Sequence, residues 1–172
     1  MDAREAAARE AIRHTIASYT AFADRGRFAE VAELFAADGV LEVVGIGGAR
    51  AEGRAAVRAF FEGVGHDVRG GAPPPGRMQH HVASTWIELE TPDRASAHSY
   101  FTVMTAAGVD HWGRYRDRLV RDGERWLFAH RRVDTDGVTP GGWAARRAGA
   151  AGGHGPAGGA GGAGGDQADD QA

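Results

Sequence analysis

Cysteine is absent from the 172-residue chain, and so is lysine: all 20 basic residues other than histidine are arginine. Without a thiol there can be no disulfide scaffold, no thiolate nucleophile and no cysteine zinc site. No apolar run approaches the roughly 20 residues of a membrane span. The acidic, Ala-rich start, residues 1–10, lacks the basic-then-apolar layout of a secretory leader. A soluble, cytoplasmic protein without a membrane partner is therefore expected. Excess positive charge is missing as well. Across residues 1–140, 18 Arg stand against 20 Asp and Glu, which leaves no basic field to hold a polyanion, so nucleic acid is not expected as a partner. Three catalytic signatures are also missing: the Gly-x-Ser-x-Gly elbow, the Gly-Lys-Ser/Thr phosphate loop and the His-Glu-x-x-His zinc helix. The stretch Gly45-Ile46-Gly47-Gly48-Ala49-Arg50 lacks the third glycine of a dinucleotide fingerprint and lies outside any parallel βαβ repeat, so it reads as a loop.

What the chain does have is glycine, 27 residues of it, and the glycine is unevenly spread. Residues 141–172 hold 12 Gly and 10 Ala among 32 residues. Such a segment has little to bury and reads as a disordered tail, dispensable for folding. Residues 1–140 remain as one domain, long enough for a single substantial core. Within it, Ile12, Ile16, Tyr19 and Ala23 recur at helical spacing and predict a helix over residues 4–22. Phe28, Val31, Leu34 and Phe35 predict a second helix to residue 37, stopped by a left-handed cap at Asp38-Gly39. A short strand over 40–44, a Gly-rich loop over 45–53 and a third helix over 54–62 follow. Residues 63–77, with five Gly and Pro73-Pro74-Pro75, read as a flexible lid or rim.

The second half changes to alternating periodicity. Strands are expected at 78–90, 95–105, 111–121 and 125–134, joined by turns of which Asp122-Gly123 is the strongest hairpin signal. Helices first and a meander second define an α+β fold class: a curled antiparallel sheet with three N-terminal helices, a barrel-like domain enclosing an apolar pocket.

Seven of the eight histidines lie before residue 141, and His80-His81 opens the first long strand. Neighbours on a strand point to opposite faces, so at most one enters the pocket. His80 shares a face with Val82, Ser84 and Trp86; alternation alone does not choose between the two. Asp24 ends the first helix, where an anion needs a compensating partner, and a histidine or a nearby arginine would serve. In the last strand, Trp126, Phe128 and His130 share one face while Leu127, Ala129, Arg131 and Val133 share the other. On the third, His111, Trp112, Arg114, Tyr115 and Asp117 stay unassigned by pattern. Imidazoles and carboxylates such as His80, His98, His111, Asp24 and Asp110 suit several divalent ions, but no spacing demands one.

Taken together these pieces resemble the SnoaL-like group of the nuclear transport factor 2-like superfamily over residues 4–134. The resemblance is carried by Tyr19-x4-Asp24, Val31-x2-Leu34-Phe35-x2-Asp38, Gly53-Arg54-x2-Val57-x2-Phe60-Phe61, Gln79-His80-His81-Val82-x-Ser84, Gly113-Arg114-Tyr115-x-Asp117 and Asp122-Gly123-x2-Trp126-x-Phe128-x-His130-Arg131. It implies a cone-shaped sheet with three helices around an apolar pocket and a homodimer formed through the sheet. The family's enzymes are dehydratases, a dehydrochlorinase, polyketide cyclases and isomerases, mostly without cofactor, and neither cofactor nor metal is expected here. By the resemblance, Asp24 orients His80 as a general base, Tyr19 matches a tyrosine of a bile-acid dehydratase, and Arg131 matches an arginine of the dehydrochlorinase. Phe60, Ser84, Trp86, Thr105, Trp112 and Phe128 are the expected substrate-binding residues. Two departures stand out: the second histidine of scytalone dehydratase falls near Thr105, and the family's frequent asparagine is Ser84. The implied function is a cofactor-independent lyase or isomerase acting on a small hydrophobic carbonyl or hydroxylated ring compound. A noncatalytic ligand-binding or dimerisation module of the same shape is the alternative, and an epoxide hydrolase would require a second carboxylate in the pocket.

Overall fold

The computed structural model describes residues 2–70 and 77–152. The chain opens with α1, Ala3–Ala23, capped where the Asp2 side chain accepts a hydrogen bond from the Glu5 amide at 2.8 Å. Its buried stripe of Ile12, Thr15, Ile16 and Tyr19 packs on the concave face of the sheet, where Thr15 donates its hydroxyl to the Trp126 carbonyl at 2.6 Å. Next come α2, Phe28–Ala32, β1, Phe35–Val44, β2, Ala49–Glu52, and α3, Arg54–Gly70. Four long strands form the second half: β3, Gln79–Thr91, β4, Arg94–Thr105, β5, Gly108–Asp122, and β6, Arg125–Val138. A final helix, α4, spans Trp143–Gly152.

The six strands form one sheet in the order β2-β1-β6-β5-β4-β3. The meander is antiparallel as expected, but β1 joins β6 in parallel. The sheet curls without closing, so β2 and β3 remain as edges and the domain is a cone rather than a complete barrel. Helices α1 and α3 cover the concave side.

Three local expectations are corrected. The second helix stops early because Phe35 is buried as a strand residue: the Phe128 amide donates to the Leu34 carbonyl at 2.8 Å, and the rings of Phe35 and Phe128 sit 5.2 Å apart. Gly39 is not a left-handed cap. It lies in β1, where a Cβ would come within 2.6 Å of the Phe128 carbonyl oxygen. The third helix runs eight residues past Glu62 because Gly65 is a contact rather than a breaker: a Cβ there would stand 2.6 Å from the Phe28 ring. Residues 71–76, including the proline run, lie outside the described residues.

The body also extends beyond residue 140. Ala144 of α4 is fully buried, and Asp110 accepts from the amides of Trp143 at 2.7 Å and Ala144 at 3.0 Å, which caps the helix start. The rest of the Gly/Ala-rich segment, 153–172, lies outside the described residues.

The largest fully buried side chain is Arg131. Its Nε and Nη2 donate to the two Asp117 oxygens at 2.8 and 2.6 Å, with both side chains inaccessible to water. Burial alone would pull the guanidinium pKa down, but Asp117 outweighs it and the net shift is upward. The guanidinium lies 4.1 Å from the Tyr19 and Phe128 ring centroids and 4.3 Å from that of Tyr115. Removing one member of such a pair strands a charge in a medium that cannot solvate it. Asp117→Ala is expected to destabilise the fold by about 3–5 kcal/mol in urea unfolding, whereas a double replacement of Asp117 and Arg131 by leucine and methionine recovers most of that loss.

Candidate active site

The end of α1 and the start of β3 meet through one carboxylate. Asp24 Oδ1 lies 2.5 Å from His80 Nδ1, and Asp24 Oδ2 accepts from the His80 backbone amide at 3.0 Å. Both oxygens of an anion placed at a helix C-terminus, where the dipole is unfavourable, are thus answered by one residue 56 positions away. Donation of Nδ1–H to the carboxylate sets the tautomer and leaves the lone pair on Nε2. Both side chains line an apolar cavity of about 390 Å³ bounded by α1, α3, the inner face of the sheet and the start of α4. His81 is exposed on the opposite face, which settles the choice that alternation left open.

A second imidazole shares the cavity. His111 is 8% exposed, and its Nδ1 lies 3.0 Å from Asp110 Oδ1. Its pKa is lowered, first by burial and further by the nearby His80, with Asp110 opposing; at neutral pH this ring is uncharged. Asp110 is the extra residue of a bulge, since Val103 pairs with His111 while Met104 pairs with Val109. The bulge turns both Asp110 and His111 inward, one toward α4 and one toward the cavity.

Two phenols complete the polar lining. Tyr19 has its pKa pushed up to about 12, chiefly by burial, with Arg131 opposing. Tyr115 is raised well above the ordinary phenol value, again chiefly by burial. Both therefore remain protonated donors. Tyr19 and Tyr115 lie edge to face at 6.0 Å, and Tyr115 stacks on Phe101 at 4.6 Å. Asp24 is the sole carboxylate among the described residues of the cavity wall, so the second one that epoxide hydrolysis would need is not among them. Among the described residues no three His, Asp or Glu side chains converge closely enough to hold a metal ion.

Of the residues named from sequence, Asp24, His80, Tyr19 and Phe60 reach the cavity. Arg131 does not: it is fully buried behind the Tyr19 ring, committed to Asp117, and can act on a ligand only by holding Tyr19 in place. Phe128 is fully buried beneath it. These two share a side although three positions apart, because Ala129 is a bulge: Leu119 pairs with Phe128 and Arg118 with His130. A third bulge reverses the alternation of β3. Ser84 takes φ 51°, and pairing jumps from Ala83–Tyr100 to Trp86–His98. Ser84 is left exposed and Trp86 is turned onto the outer face, 69% exposed. Trp112 is also outside, with its indole against Gly137. Thr105 serves the β4–β5 turn, accepting from the Ala107 amide. Sequence reasoning left His111 and Tyr115 unassigned; their alternation with Gly113 and Asp117 was the available signal.

The cone of six strands with covering helices defines the class, an α+β fold of the nuclear transport factor 2-like, cystatin-like kind. The model of the SnoaL-like domain family matches residues 4–132, and the chain belongs to that family. Among solved structures, a putative scytalone dehydratase from Novosphingobium aromaticivorans is similar at TM-score 0.67 and 23% identity, covering 81% of this chain and 91% of that one. LinA is similar at TM-score 0.68 and 16% identity, covering 80% and 91%. An NTF2-like protein with a cystatin-like fold from Novosphingobium aromaticivorans is 29% identical at TM-score 0.63, covering 81% and 87%. No protein of curated function matches the sequence.

The lowered His111 pKa links the site to stability. As pH falls through about 6.5, the unfolded chain takes up a proton that native His111 refuses, so stability drops with acidification until the lower native value is reached. Thermal melts from about pH 8 to about pH 5 should show this loss in the wild type. His111→Asn, which keeps a donor for Asp110, should show a shallower decline.

Proposed function

We propose that this protein is a cofactor-independent lyase or isomerase that moves a proton at carbon in a small hydrophobic carbonyl or hydroxylated ring compound. The observation that carries the reading is the 2.5 Å Asp24–His80 pair in the wall of the apolar cavity. His80 Nε2 takes a proton from a carbon beside a carbonyl, and the C–H electron pair moves onto the carbonyl oxygen as an enolate. Asp24 stabilises the imidazolium so formed. The Tyr19 hydroxyl, kept protonated by burial, donates to the oxyanion, and uncharged His111 accepts from a substrate hydroxyl. Return of the electron pair then either expels a β-hydroxyl, which leaves as water with the imidazolium proton, or takes that proton back at a different carbon. A ring closure uses the same enolate as its carbon nucleophile.

The working unit is a homodimer joined through the outer face of the sheet. Trp86, Tyr100 and Trp112 are 69, 59 and 41% exposed on that face, on neighbouring strands β3, β4 and β5. Exposed aromatics grouped on one surface favour a protein contact.

Two measurements test these statements. Deuterium exchange of the protons beside the carbonyl of cyclic ketones, followed by NMR, should be catalysed by the wild type and slowed about 10²–10⁴-fold by His80→Ala, with Asp24→Asn also impaired; undiminished exchange in both variants ends the assignment. Light scattering after gel filtration should give twice the chain mass for the wild type and the chain mass for a Trp86→Glu, Tyr100→Glu double variant. A wild type already monomeric contradicts the dimer.

A further inference from the structure

The cavity wall is apolar, yet its described residues include four arginines and a single carboxylate: Arg25, Arg69, Arg77, Arg147 and Asp24. Asp24 is committed to His80 through both oxygens. Arg147 is committed as well, since it pairs with Asp67 on α3 and lies over the Trp143 ring. The other three have no carboxylate partner among the described residues; the Arg25 guanidinium donates to the Ala21 carbonyl. All three are exposed. They come from three separate segments, the turn after α1, the last turn of α3 and the residues just before β3, and all three line the one cavity while staying open to solvent. A guanidinium presents paired donors that match a carboxylate, and several at the mouth of a low-dielectric hollow focus their field on what enters.

We propose that the substrate is an acid: a hydrophobic ring system carrying a carboxylate, whose anion is held at the rim by Arg25, Arg69 and Arg77 while the rings enter the aromatic interior. This deepens the proton-transfer reading and rests on it for the word substrate, although the binding preference stands apart from catalysis. The reacting carbon is not far from the anion: Arg77 precedes His80 by three residues, so their Cα atoms are at most about 11 Å apart. The uncharged interior, with Phe60, Phe61 and Phe101 in its wall, would not accept a buried carboxylate; the rim is where the charge can stay partly solvated.

Fluorescence titration of the full-length protein with two aromatic probes tests this. Anilinonaphthalene sulfonate carries a fixed anion, and phenylnaphthylamine has the same ring system without it. The expected result is one site per chain with the sulfonate bound on the order of tenfold more tightly, a preference that shrinks as salt is added. An Arg25→Gln, Arg69→Gln, Arg77→Gln triple variant should lose that preference while binding phenylnaphthylamine as the wild type does. His80→Ala should keep the preference, so a failure of the proton-transfer reading leaves this result intact. Equal affinity for the two probes, a ratio unchanged in the triple variant, or no binding of either probe overturns the proposal.

Discussion

A guanidinium with no access to water has to be answered by its surroundings, and the centre of this molecule is arranged around that requirement. Arg131 on β6 is met by Asp117 on β5 and sandwiched by rings from α1, β5 and β6. Because the pair is bidentate and the rings are tightly placed, it joins the first helix to the two central strands in one orientation. Tyr19 is one of those rings. Asp24 lies little more than one turn further along the same helix, so the position of its carboxylate follows from how the buried ion pair seats α1.

The cavity has a graded polarity that follows from the same placement. At its floor are phenols that burial keeps protonated, backed by the arginine. Along one side stand two imidazoles, each with Nδ1 on an aspartate: His80 tied to the end of α1, His111 tied through Asp110 to the start of α4. Exposed arginines complete the wall. Phenols, imidazoles and guanidiniums are thus spaced around an aromatic, largely apolar interior.

Membership of the SnoaL-like family agrees with this shape, but the details that distinguish this chain arise where strands depart from regular alternation. Ser84, Asp110 and Ala129 each mark a step in strand pairing. One step sends Trp86 outward, one brings Asp110 and His111 inward together, and one places Phe128 and Arg131 on the same side. Trp86 was expected to share the face of His80 by uninterrupted alternation, and the step at Ser84 is why it lies outside.

Much was legible before any coordinates. The four long strands, the first helix, the α+β class and the Asp24–His80 pairing came from periodicity, turn chemistry and a family pattern, because short-range alternation and helical spacing are imposed by the backbone's own geometry. Tertiary structure alone decided the sense of each face beyond a bulge, the parallel junction of β1 with β6, the continuation of α3 through Gly65 and the docking of α4 past residue 140. Each of these depends on contacts between residues far apart in the chain: a ring that a glycine lets approach, an aspartate that a distant helix start requires, a charge that must find its counter-ion. Local propensity cannot weigh such contacts, since their free energy exists only once the chain has closed on itself.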